Sequence, residues 1–212
     1  IYLGGVPMII ADSIAYIRYD LAVFGSLVLG FLVIMLGLIF RAVRWVVLPL
    51  LTCGAVGVVM IGFLGLMNWP VTIVSANFIS LLLIFTLSFC LHQIVRYLEA
   101  VRDDPDGTPA TLVRISVFHI GIPCFYMAFT TAVGFASLII SDIQPVIDFG
   151  WLMSVGILIS FAIAFTMMPA MMVLLPRPAP MRGFDLTHHI TGFFARLVAH
   201  HGRMILLGFG VA

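Results

Sequence analysis

Five runs without Asp, Glu, Lys or Arg follow one another along this chain: Leu21 to Phe40, Trp45 to Met67, Val71 to Val95, Ile115 to Ser141 and Phe149 to Leu175. Each matches or exceeds the roughly 20 residues that an α-helix needs to cross the hydrocarbon core of a bilayer. The pattern predicts five complete membrane spans, with Met204 opening a sixth that residues 204–212 do not complete. Arg41 and Arg44 mark a tight turn after the first span, and Asn68-Trp69-Pro70 turns the chain back on the other side, with Trp69 at headgroup level. Arg96 to Arg114 reads as an amphipathic helix end followed by a turn at Pro105-Asp106-Gly107, and Asp142 to Asp148 as a brief loop. In the longest connection, residues 176–203, Ile190, Phe193, Phe194, Leu197 and Val198 recur at i, i+3, i+4, i+7 and i+8, the stripe of a helix lying on the membrane. Residues 1–20, with Gly4-Gly5, Pro7, Asp12, Arg18 and Asp20, suit the closing strand and linker of a water-exposed domain.

Composition agrees. Apolar residues make up 63% of the 212 and charged residues 9%, against about a quarter charged in a soluble domain. The fold class is therefore an all-α polytopic membrane protein, a helical bundle over residues 21–175. A net charge of +1 without a basic, aromatic-interleaved face excludes nucleic acid as a partner. Lysine is absent, and nine of the ten arginines fall in loops on one side of the alternating path, Arg18 being the exception. By the positive-inside rule the connections 41–44, 96–114 and 176–203 are cytoplasmic. No basic n-region precedes the first span, and both ends read as cuts through a longer polypeptide.

Candidate chemistry is sparse. Cys53, Cys90 and Cys124 are odd in number, without CxxC spacing, and indicate neither a disulfide framework nor zinc. His188-His189 and His200-His201 are eleven or more residues apart, too far for paired ligands on one helix, so no metal and no cofactor is expected. Neither GxSG nor HExxH occurs, and the chain does not read as an enzyme. Polar groups inside a span are costly and often mark a pathway, which singles out the third span. There Asn77, Ser80, Ser88 and His92 fit one broad helical face. Counted from Arg96 at about 1.5 Å per residue, Ser88 lies about 12 Å deep and His92 about 6 Å deep. His119 reaches a depth similar to that of His92 from Arg114, so the two imidazoles are candidates for a coupled proton-handling pair, although His92 can also simply reach interfacial water. Gly54, Gly57, Gly62 and Gly65, with Gly134, Gly150 and Gly156, are read as sites of close helix approach.

Several segments together resemble the resistance-nodulation-division (RND) superfamily, in its MMPL-type and sterol-sensing-domain-like members. They are Asp20-Leu21, Phe40-Arg41, Leu48-Pro49-Leu50, Leu91 to Glu99, Phe129 to Leu138, Phe149-Gly150, Gly156-Ile157 and Met168-Pro169-Ala170, the run from Thr130 to Phe135 being the most specific. The resemblance implies an RND-type helical bundle in which the visible spans are the second to sixth of twelve, in a bacterial inner membrane. A second half and large periplasmic domains would lie on the same polypeptide. It also implies export or relocation of hydrophobic or lipid-like molecules driven by protons. Membrane lipids and a hydrophobic substrate are then the partners, and a homo-oligomer or periplasmic and outer-membrane partners are left open.

One departure stands out. Where the MMPL-type motif places aspartate followed by an aromatic residue, this chain has Ser88-Phe89, and no carboxylate occurs in any of the five spans. Serine donates and accepts hydrogen bonds but carries no net proton at neutral pH. The relay would then come from the second half, from His92 one turn away, or be lost in a non-transporting lipid-binding or scaffolding module. Ser88, Phe89, His92 and His119 are the resulting transport-path candidates.

Overall fold

The computed structural model describes residues 19, 23, 25–38, 40, 42–69 and 78–175. The expected water-exposed segment 1–20, apart from Tyr19, lies outside these residues, as do the connection 176–203 with its histidine pairs and the opening of a further span at 204–212. Among the described residues every regular element is helical. A shorter apolar helix α1 (Gly25–Leu38) is followed by four helices long and apolar enough to cross a membrane: α2 (Val43–Leu66), α3 (Phe78–Asp103), α4 (Pro109–Ala136, continued by a 3₁₀ turn over Ser137–Ile140) and α5 (Gln144–Leu174). Four of the five expected spans are thus present as membrane-length helices; the described part of the first is shorter. Lipid offers no partners to backbone N–H and C=O groups, so chain crossing it must satisfy them internally, as helices do.

The helices extend further than the apolar runs. α3 continues eight residues past Val95, α4 starts at Pro109 rather than near Ile115, and α5 starts at Gln144, which leaves only residues 141–143 between the 3₁₀ turn and α5. Hydropathy marks where a helix meets lipid, whereas capping marks where it ends. At the start of α4 Thr108 accepts a hydrogen bond from Thr111 N at 3.3 Å, with Pro109 in the first helical turn. α2 closes in a Schellman arrangement: Asn68 takes a left-handed φ of 49°, its N–H donates to Gly65 O at 3.3 Å, and Trp69 N–H donates to Leu64 O at 3.1 Å.

Side-chain pairs give the helix directions. Leu82 lies against Gly156, Phe89 meets Phe161, and Gln93 meets Ala164, so α3 and α5 run parallel. Phe135 meets Phe149, Ser154 reaches Ala132 O, and Phe125 meets Phe161, so α4 runs antiparallel to α5. α2 is antiparallel to both α3 (Trp45 on Tyr97, Cys53 on Leu83 O) and α5 (Thr52 on Met168). A chain that crosses a membrane back and forth requires this alternation.

The glycines separate into two groups. A Cβ on Gly150 would sit 2.8 Å from Phe135 O, and one on Gly156 would sit 3.0 Å from Leu82 Cδ1 and 3.5 Å from Met60 Cε. These two mark close helix approach. At Gly54, Gly57, Gly62, Gly65 and Gly134 nothing lies within 4 Å of such a carbon, so the packing role expected for them is not the one they have. Spacing alone does not say which face of a helix meets a neighbour.

Candidate functional site

The interior of α2, α3 and α5 is apolar, with a few hydroxyl, amide and sulfur groups set among Val56, Met60, Leu82, Ile94, Ile157 and Met168. Thr86 and Thr52 satisfy their hydroxyls on the carbonyls of Leu82 and Leu48, one turn back, at 2.7 and 3.0 Å. Folding onto its own helix in this way lets a threonine sit fully buried in a span.

Among the described residues three buried side-chain atoms have no hydrogen-bond partner: Trp45 Nε1 on α2, and two atoms where α3 meets α5. Gln93, 1% exposed, donates from Nε2 to the backbone carbonyl of Ala164 across 3.1 Å, but its Oε1 has no hydrogen-bond partner. Ser160, one turn before Ala164 on α5, is fully buried and its Oγ likewise has none. Unpaired polar atoms away from water are rare and costly, and where they persist they mark a bound water, an ion or a working group. Gln93 and Ser160 therefore form a neutral polar seam between α3 and α5. A glutamine oxygen accepts hydrogen bonds and a serine hydroxyl both donates and accepts, but neither carries net charge at neutral pH.

The candidates read from sequence lie around this seam rather than in it. Phe89 is buried and meets Phe161 with ring centroids 5.7 Å apart; Phe161 in turn meets Phe125 at 5.8 Å and Phe165 at 4.5 Å. Ser88, beside it, is half-buried. His92 is exposed, on the outer stripe of α3 with Ile84, Val95 and Glu99. The single polar face expected for Asn77, Ser80, Ser88 and His92 is not present among its described members: Ser80 is buried, Ser88 intermediate and His92 exposed. Twelve residues at about 100° each turn His92 roughly 120° from Ser80.

His119 is also exposed, on α4, and its Nδ1 lies 2.9 Å from Ile115 O. Because a carbonyl only accepts, Nδ1 is the donor in this bond. No hydrogen bond joins the two imidazoles among the described residues. Gln93, adjacent to His92, has no titratable group to mark it in the sequence. Only the structure places it with Phe89, Cys90, Ile94 and Tyr97 on the buried stripe of α3.

The acids among the described residues, Glu99, Asp103, Asp104, Asp106, Asp142 and Asp148, stand at helix ends and in connections, with Glu99 held by Arg96 at 2.8 Å. Among the described residues the level of Ser88 is thus served by no carboxylate. Trp45 is buried against Tyr97 at 5.9 Å with the Arg44 guanidinium 5.2 Å over its ring.

Comparison with known proteins fits this bundle. A membrane protein of Methanocaldococcus jannaschii is 26% identical over 147 residues, a stretch covering 69% of this chain and 37% of that protein, so the match takes in little more than a third of the relative's length. No solved structure matches the chain significantly. The family model of the MMPL family matches residues 1–203. This multi-pass membrane chain, with its neutral seam where α3 meets α5, belongs to the MMPL family.

Proposed function

We propose that this chain is the first-half membrane region of an RND-type transporter that exports or relocates a hydrophobic or lipid-like substrate with the proton gradient as its drive. In this reading the proton relay lies in the second half of the polypeptide. The observation that carries it is the match of the MMPL family over residues 1–203; the neutral surroundings of Ser88, Phe89, Gln93 and Ser160 are the reason the relay is assigned to the second half. His92 is a weaker substitute, since it faces outward from the seam.

The test is transport by the full-length protein in proteoliposomes carrying a fluorescent long-chain lipid. Movement that collapses when the proton gradient is dissipated, and that is unchanged in rate and pH dependence by His92→Ala, is the expected result. Movement indifferent to the gradient sinks the proton-driven reading. Loss of pH dependence in His92→Ala would instead restore His92 to the relay.

The alternative is a non-transporting, sterol-sensing-like module that binds lipid and signals or scaffolds by conformation. The absence of a carboxylate from the described spans favours it. It predicts saturable lipid binding with no vectorial movement in the same vesicles.

A further inference from the structure

Three arginines leave the membrane-facing helices near the connection between α3 and α4, and their surroundings differ. Arg96 is neutralised by Glu99 at 2.8 Å, and Arg102 is followed directly by Asp103, Asp104 and Asp106. Arg114 is exposed, forms no salt bridge among the described residues, and stands on a helix without a single acidic residue. It lies near the start of α4, where side chains lean toward the helix N-terminus. The guanidinium is thereby carried toward the polar face of the bilayer while its methylenes stay against apolar surface.

Above Arg114, at i+4, i+11 and i+15, come Phe118, Phe125 and Phe129, all exposed, with Phe118 at 73%. Phe125 and Phe129 stack with an interplanar angle of 18°. Between Phe118 and Phe125 the stripe is notched at Gly121, where an added Cβ would only reach Phe165 at 4.0 Å. Among the four described membrane-length helices α4 is also the least buried, 17% of its apolar window against 50% for α3. One helix face thus has, among the described residues, a cation with no acidic partner at the headgroup end and a grooved aromatic track running into the hydrocarbon.

We propose that this face of α4 binds one anionic phospholipid from the leaflet on the arginine-bearing side, its phosphate on Arg114 and an acyl chain along Phe118, Phe125 and Phe129. Guanidinium matches a phosphate's geometry by paired N–H donors. The charge selects the headgroup, and the stripe holds the chain without regard to charge. The site needs no transport activity and is independent of which molecule the protein relocates.

Native mass spectrometry of the full-length protein, released from nanodiscs holding equal phosphatidylglycerol and phosphatidylcholine, tests this directly. Wild type is expected to retain phosphatidylglycerol in preference, and Arg114→Gln to lower that preference about five-fold, the worth of one arginine at a charged membrane surface. Arg96→Gln should leave it unchanged, because Arg96 is already paired. Phe118→Ala should weaken retention of both lipids alike. One arm needs no variant: at about 1 M salt, where the screening length falls to about 3 Å, the wild-type preference should vanish. The proposal is overturned by an unchanged preference in Arg114→Gln, by an equal loss in Arg96→Gln, by a preference that survives high salt, or by a dimer that covers α4 and retains no lipid.

Discussion

The side-chain amide of Gln93 donates to the main-chain carbonyl of Ala164 across 3.1 Å, joining α3 to α5. The same side chain leaves its oxygen buried and unpaired. The two ends of one amide therefore act in opposite directions on stability, and their balance can be measured. Hydrogen bonds between membrane helices average about 0.6 kcal/mol, whereas a buried unpaired polar atom costs about 1–3 kcal/mol. Gln93→Leu, which keeps the volume and removes both, is expected to be neutral or stabilising. Gln93→Ala, which also opens a void, should lose about 2 kcal/mol or more. Unfolding in mixed detergent micelles ranks the two. A large loss in Gln93→Leu would mean that the oxygen has a tightly held partner, such as a water bridging toward Ser160.

Gly150 and Gly57 should respond to alanine in opposite ways. At Gly150 the new methyl meets the Phe135 carbonyl at 2.8 Å and Leu138 Cβ at 3.1 Å, neither of which can rotate away. Gly150→Ala must therefore push α4 from α5, at about 1–3 kcal/mol. At Gly57 the methyl meets nothing within 4 Å, and Gly57→Ala should gain up to about 1 kcal/mol in helix propensity. Thermal unfolding of the two variants side by side provides the comparison.

Ser88→Asp places a carboxylate where this chain has a half-buried serine. An aspartate at the centre of a span is disfavoured by about 2.5–3.5 kcal/mol on insertion scales, so the variant should show reduced insertion in a glycosylation-reporter assay. Insertion equal to wild type would reveal water or a cation already at that level.

His92→Ala should change stability by less than about 0.5 kcal/mol, as for other exposed positions without a specific role. A shift in unfolding midpoint beyond that would place His92 in an interaction that the bundle described above does not contain.

Cys53, Cys90 and Cys124 are all buried. In intact membranes a bulky maleimide is expected to leave all three unmodified, and to alkylate all three after unfolding in hot SDS. Labelling of Cys90 in the folded protein would require an opening between α2 and α3.

The membrane class, the alternating path and the family were legible in the sequence because each rests on chain-local quantities: the length of apolar runs, the placement of arginines, and the order of short motifs such as Thr130 to Phe135. Helix ends were less so, since Thr108 and Asn68 set them by capping geometry rather than hydropathy. Facing was not legible at all. In a lipid solvent the outside of a span is as apolar as the inside, so periodicity that would orient a helix in water is nearly silent here. That is why Gly150 and Gly156 could not be told from Gly57, nor Gln93 from His92. Sequence alone determined that the third span carries polar groups and lacks a carboxylate. Only the tertiary structure decided that Gln93, not His92, is turned inward, because α5 covers one stripe of α3 and leaves the other exposed.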